Sequence, residues 1–292
     1  MTQYAQYFPV GIMATVLGVS KSGYYQFLKS QPSLRDQANH QLLEKIKMIH
    51  QSSYETYGSP RIHAELLAMG ESCSRQRVAR LMKAEKIMAK MHKKFKKTTQ
   101  QSGQPYFVGD DLLRQEFTAF GPNEAWVSDI TYILTQEGWV YCAMILDLFS
   151  RKIVGLAIDS RMTAELVLRA LRQALIHRKP PAGIVHHSDR GSQYTSKALK
   201  ILADEYGVQI SMGRIANAYD NAVAESFFHT LKTELVYFCS YRNLEEATLS
   251  IFHYVYGFYN QKRRHSTLGY LSPVQFENEF NINNKIPLQS VH

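Results

Sequence analysis

From residue 124 onward the chain reads as AWVSDITYILT, a turn at QEG, then WVYCAMILDLFS and RKIVGLAIDS. These runs are rich in β-branched and aromatic residues and are joined by tight connections, which predicts three consecutive strands in an antiparallel meander. A helical pattern follows over about 163–177 and is closed by Lys179, Pro180 and Pro181. Next come a short apolar strand in GIVHHS, a helix near 195–206, another short strand in GVQIS, and helices over about 219–237 and 244–259. A meander followed by strands alternating with helices leaves few topologies open: an α/β fold built on a mixed five-stranded sheet flanked by helices.

That order of elements matches a ribonuclease H-like fold. The front of the chain differs from it in both pattern and charge. Residues 11–29 predict two short helices, with a break at Gly18 and Ser20 as the N-cap of the second, in the manner of the tail of a helix-turn-helix. Leu42, Leu43, Ile46 and Ile49 stand at helical spacing, YGSPRIHAELLAMG opens with proline in its first turn, and Ser74 can cap SRQRVARLMKAEKI. In that last helix Val78, Leu81 and Met82 face inward, and Arg75, Arg77 and Arg80 face solvent. The formal charge is +9 overall, and residues 1–100 carry 16 Lys/Arg against 6 Asp/Glu. The run KMHKKFKKTT, with Lys93, Lys94, Lys96 and Lys97, sits beside the arginine-bearing helix. Clustered cations of this kind gain affinity for phosphates through counterion release, so the front third is the expected nucleic-acid-binding part.

No stretch approaches the roughly 20 apolar residues that span a bilayer, and the N-terminus lacks the order of a secretion signal, so no membrane partner and a cytosolic location are expected. Cys73, Cys142 and Cys239 are too widely spaced for a disulfide framework or a CxxC zinc site and are read as unpaired thiols. The expected organisation is a helical segment over 1–35, a basic helical DNA-binding domain over 36–97, a linker over 98–121, the mixed-sheet core over 122–280 and a tail over 281–292.

Three carboxylates carry the chemistry. Asp129 falls within the first strand, Asp189 directly follows the fourth, and Glu225 lies one or two turns into the helix after the fifth, with 35 residues between the last two. Taken singly, each is as well explained as a turn or surface residue. Taken together, on those elements, they predict a two-metal phosphoryl-transfer site, because three converging acids need divalent cations to offset their repulsion. Magnesium, two ions per site, suits hard carboxylate oxygens, and manganese can substitute. Asp147 is the rival. A hairpin turning at about 136–137 sets Asp129 across from about position 144, so Asp147 falls on the opposite face and is assigned to the turn. On the third acid's helix, Asn221, Glu225, His229 and Lys232 form a polar stripe, with Phe227 and Leu231 turned to the core. Lys232 is a candidate to grip a DNA phosphate. His186 and His187 lack zinc spacing and are expected in hydrogen-bonding or phosphate-contacting roles. In the aromatic C-terminal stretch Phe252, Val255 and Tyr259 are assigned to the core, and Arg263, Arg264 and His265 to DNA backbone contacts.

The strings YGSPRIHAEL, WVSDITYI, LDLFSRKIVG, HHSDRGSQYTS, SMGRIANAYDNAVAESFFHTLKTE and FYNQKRRHSTLGYLSP resemble the transposases of IS-three family insertion sequences, within the DDE transposase and retroviral integrase superfamily. The resemblance covers about residues 40–278. It implies that Asp129, Asp189 and Glu225 are the catalytic and metal-binding triad, and that Lys232 is the family's basic residue seven positions after the glutamate. It also implies magnesium-dependent cleavage at terminal inverted repeats, followed by strand transfer into target DNA by an oligomer in the bacterial cytoplasm, associated with the nucleoid. Such chains are the downstream reading-frame product, fused to or associated with an upstream product that supplies more of the helix-turn-helix. Gly213 and Ala216 depart from the family string, which has serine and glycine there. The alternative functions are a structure-specific metal-dependent nuclease of the same fold and a non-catalytic DNA-binding regulator.

Overall fold

Apolar alternation and turn chemistry build the sheet much as its sequence predicts. The computed structural model describes residues 1–90, 107, 109–113, 118–213 and 222–285. Strands β1 (Ala125–Thr135), β2 (Gly138–Asp147) and β3 (Ile153–Asp159) form the antiparallel meander. The first hairpin turns at residues 136–137, because Thr135 pairs with Gly138, whose φ of 125° suits a residue without a Cβ. After α6 (Ala164–Arg178) the chain crosses to β4 (Val185–Ser188), which lies parallel to β1. Then α7 (Lys197–Glu205) leads to β5 (Gln209–Met212), parallel to β4. The strand order is β3-β2-β1-β4-β5, the mixed five-stranded sheet expected.

Helices cover both faces. On one, α6 and α7 pack on Trp126, Ala143, Ile145, Val154 and Ala157. Gly155 permits the close approach of α6, since a Cβ there would stand 2.3 Å from the Ala170 carbonyl oxygen. The other face is covered by α8 (Ala222–Glu234) and α9 (Leu244–Phe252), which runs on into a wider π-type turn over His253–Tyr259. Phe227, Leu231, Val255 and Tyr259 are buried as expected, and Phe252 is half-buried. Finally α10 (Pro273–Lys285) lies against the β2–β3 turn through the ring contacts of Phe149 with Phe276 and Phe280. This helix carries through the expected domain end at 280.

The front of the chain forms α1 (Val10–Val16), α2 (Lys21–Lys29), α3 (Leu34–Ser52), α4 (Ser59–Ala68) and α5 (Arg75–Ala84). Their stops and starts follow the sequence: Gly18 takes a φ of 66°, and Ser20, Ser33 and Ser74 each accept a backbone N–H of the turn they open. Helices α3–α5 are less separate from the core than a domain followed by a linker suggests. Leu42, Ile46, Ile49, Tyr57, Ile62, Leu66, Val78 and Met82 belong to the same buried cluster as Phe227, Phe228, Tyr254 and Phe258. Within the expected linker, residues 109–112 run along β5: Met212 donates its backbone N–H to the Asp110 carbonyl at 3.0 Å, and Leu112 donates to Ser211 Oγ at 2.9 Å. Among the described residues no helix is long and apolar enough to cross a membrane. All three cysteines are free thiols, with Cys142 buried.

Candidate active site

The β1–β4 register brings two of the three acids together. Val127 pairs with His187 in parallel, and two residues further on along each chain stand Asp129 and Asp189. Asp129 thus stands on β1 close to the point where the adjacent β4 ends at Ser188 and Asp189 follows. Both are half-buried. The turn after β4 shapes the second: Gly191 donates its backbone N–H to Asp189 Oδ1 at 2.9 Å, and a Cβ on Gly191 would stand 3.0 Å from that oxygen. Burial pushes the Asp189 carboxyl above its ordinary range, and this one N–H bond only partly opposes it.

Glu225 lies in the first turn of α8, which packs on β1. Among the described residues no three His, Cys, Asp or Glu side chains are gathered tightly enough to hold an ion, so the three acids do not form one closed cluster.

Within electrostatic reach of both aspartates lies Tyr194, a residue of the HHSDRGSQYTS string that no periodicity singles out. It is fully buried, and its hydroxyl accepts from Ser128 Oγ at 3.1 Å. Burial, then the charges of Asp129 and Asp189, push its ionisation well up, so it stays a neutral phenol. Lys232 lies near Asp129 too. Its Nζ lies 4.7 Å from the centroid of the Tyr132 ring, and burial lowers its pKa while Asp129 and Cys142 raise it. Asp147 stays out of this group, as the hairpin register predicts: Asp129 pairs with Met144, and Asp147 lies fully buried at the end of β2. There its oxygens accept backbone N–H groups from Asn123 at 2.7 Å, Phe149 at 3.0 Å and Ser150 at 3.2 Å, a structural clasp for the turn.

The expected DNA-contacting residues divide into three groups. Arg75 and Arg80 are exposed on α5, while Arg77 bonds to Asn39 Oδ1 at 2.9 Å. Lys93, Lys94, Lys96, Lys97 and Asn221 lie outside the described residues. Arg263, Arg264 and His265, expected at the DNA backbone, have buried side chains, and the two arginines already hold anionic partners within the fold. Arg263 makes a two-pronged ion pair to Glu234 at 2.6 and 2.8 Å, and Arg264 pairs with Glu65 at 2.7 Å. Burial, then the nearby arginines, pushes the His265 imidazole down to about 2, so it is uncharged. The two neighbouring histidines differ from each other. His187 Nδ1 bonds with Ser211 Oγ at 2.8 Å, whereas His186 is fully buried with neither ring nitrogen bonded.

A mixed sheet with one aspartate on β1, a second directly after the adjacent β4, and an acid-bearing helix packed on β1 is the frame of an integrase core. Residues 120–218 and 225–280 match two models described as an integrase core domain, and residues 37–95 match an HTH-like domain. The chain is 43% identical over 268 residues to the insertion element IS600 uncharacterized 31 kDa protein of Shigella sonnei, covering 92% of this chain and 98% of that one. It is 38% identical over 275 residues to transposase InsF for insertion sequence IS3A of Escherichia coli (strain K12), covering 93% and 95%. Among solved structures, the HTLV-2 integrase catalytic core domain in complex with magnesium aligns with a TM-score of 0.43 and 16% identity, over 55% of this chain and 99% of that one. The chain belongs to the IS3 family of insertion-sequence transposases.

Proposed function

We propose that this DNA transposase cleaves the ends of its insertion sequence and transfers the freed strand to target DNA at Asp129, Asp189 and Glu225. The observation that carries the reading is the placing of Asp129 on β1 and of Asp189 directly after the adjacent β4, both with charges that act on Tyr194, while Glu225 sits on α8, which packs on β1. Integrase cores work with divalent metal, and the residues here suit one. The Asp189 carboxyl is held partly buried with a single N–H donor, a setting that a hard cation would satisfy. Magnesium, two ions held by Asp129, Asp189 and Glu225, would supply Lewis-acid stabilisation and an activated nucleophile.

The chain's own groups do the rest. Tyr194 and Ser128 share a buried hydrogen bond beside β1, and the charges of Asp129 and Asp189 both act on the Tyr194 phenol. Lys232, whose pKa is lowered by burial and raised by the charge of Asp129, offers a cation to a DNA phosphate. Arg75 and Arg80 on α5 and the run Lys93, Lys94, Lys96 and Lys97 supply backbone contacts to the terminal inverted repeats. Oligomers on DNA, and fusion to or association with an upstream reading-frame product, complete the reading.

The test incubates the purified full chain with labelled element-end duplex, in magnesium and in EDTA. Cleavage and a joined product are expected in magnesium alone, and the joined product separates a transferase from a nuclease that uses water throughout. Glu225→Gln should keep DNA binding and lose cleavage to background. Undiminished cleavage by that variant would remove Glu225 from the site.

A further inference from the structure

On the flank of α8, next to the one that carries Glu225, three guanidinium groups meet across a cavity of about 320 Å³. Arg61 comes from α4, Arg151 from the β2–β3 turn and Arg263 from the segment after the π-type turn, and hydroxyls of Ser226, Thr230 and Thr267 share the wall. The charges do not cancel. Glu234 answers Arg263 with two short contacts and Arg61 with one at 3.3 Å. Arg151 has neither an ion pair nor a side-chain hydrogen bond among the described residues; its carboxylate neighbour Asp147 is taken up by backbone N–H groups and by Arg178 at 3.6 Å. Three cations therefore face one anion in a half-sheltered space, and all three act on the uncharged His265 in the cavity wall.

We propose that this cavity binds one phosphate group, carried by a DNA strand that passes α8 on its way to the carboxylates. A guanidinium fork and hydroxyl donors match phosphate oxygens. The volume lies at the lower end of the roughly 300–1,000 Å³ of small-ligand sites, enough for a nucleotide-sized group and too little for a duplex. The choice of DNA as the source rests on the transposase reading; the phosphate chemistry does not.

The experiment measures binding of a fluorescent element-end duplex to the full chain in EDTA, over a series of salt concentrations, for wild type, Arg151→Gln and Arg151→Lys. Each phosphate contact adds about 0.9 to the slope of log K against log salt. Arg151→Gln should lower the slope by about that amount, with an unchanged circular dichroism spectrum, and Arg151→Lys should restore it. A slope unchanged in a folded Arg151→Gln chain overturns the DNA assignment. A second arm titrates inorganic phosphate against melting temperature. If phosphate stabilises the wild type and not Arg151→Gln while the slope stays constant, the site is one for a free anion and the DNA source is wrong. Stabilisation of neither chain, with a constant slope, overturns the site altogether. No step of this test uses cleavage. A chain that joins no DNA but loses slope on Arg151→Gln would sink the transfer reading and keep the pocket.

Discussion

His186 stands beside Trp126 in the β1–β4 register, and among the described residues neither its two ring nitrogens nor the Trp126 indole N–H finds a partner. Burial, then the neighbouring His187, pushes its pKa from 6.5 down to about 4. Above pH 6.5 the ring is neutral in both folded and unfolded chains and costs nothing in linkage. Below that the unfolded chain takes up a proton that the folded chain refuses, so stability falls as pH drops from about 6.5 towards 4. At about 1.4 kcal/mol per pH unit, the loss between pH 7 and pH 5 comes to about 2 kcal/mol. His186→Phe keeps a ring against Tyr194, whose centroid lies 6.4 Å away, and removes the titration. Urea unfolding at the two pH values should show wild type losing about 2 kcal/mol more than the variant; equal losses would mean that His186 titrates normally. At this scale the sequence was most legible where strand periodicity governs. Counting from the hairpin turn put Asp129 opposite residue 144 and sent Asp147 away, as the observed pairing with Met144 has it. Tyr194 was less legible, because an aromatic five residues after an acid has no period to betray that it packs within reach of that acid's charge.

At the scale of elements, α8 is anchored at the end away from Glu225. Burial raises the Glu234 pKa, but Arg263, Tyr254 and Arg61 outweigh it and hold the group below the ordinary carboxylate range. Tyr254 donates its hydroxyl at 2.7 Å, so the last turn of α8 is tied to the π-type turn, the C-terminal segment and α4 at once. Glu234→Ala would leave Arg263 as a buried charge without an anion, which costs about 3–5 kcal/mol. Thermal unfolding should register this as a large drop in Tm, and a loss under about 1 kcal/mol would show that water reaches Arg263 freely. Helical spacing alone suffices to predict α8 and its inward-facing Phe227 and Leu231, both buried. The sequence points Arg263 and Arg264 to DNA backbone contacts, because adjacent cations show no partner until their anions are found. Those anions, Glu234 and Glu65, lie 29 and 199 residues away along the chain. The widening of the helix over His253–Tyr259 was likewise hidden, since aromatics this dense fill every face of any helical period.

For the whole molecule, the question is whether the front helices fold as an independent DNA-binding module or as part of the catalytic body. Charge and composition divide the chain near residue 100, and the match of residues 37–95 to an HTH-like domain follows that division. Packing does not. Tyr57 Oη accepts the Arg264 backbone N–H at 2.7 Å, Tyr54 Oη bonds with His253 Nδ1 at 3.0 Å, and the rings of Tyr54 and Phe258 lie 5.0 Å apart. Arg61 and Glu65 of α4 add ion pairs to Glu234 and Arg264. A buried cluster continuous from Leu42 to Tyr259 makes separation costly, because pulling α3–α5 away would expose apolar area on both sides at about 25 cal/mol per Å². The two should therefore unfold together. Both tryptophans, Trp126 and Trp139, lie in β1 and β2, so their fluorescence reports the sheet alone, while far-ultraviolet circular dichroism is dominated by the helices. Urea titration followed by both signals should give coincident midpoints, and Tyr57→Ala, which opens a cavity at the junction and leaves the Arg264 N–H unpaired, should move both down together by about 3–5 kcal/mol of stability. If the helical signal fell first and only its midpoint responded to Tyr57→Ala, the front helices would be a separable module, and the ion pairs across the junction would be contacts of little weight.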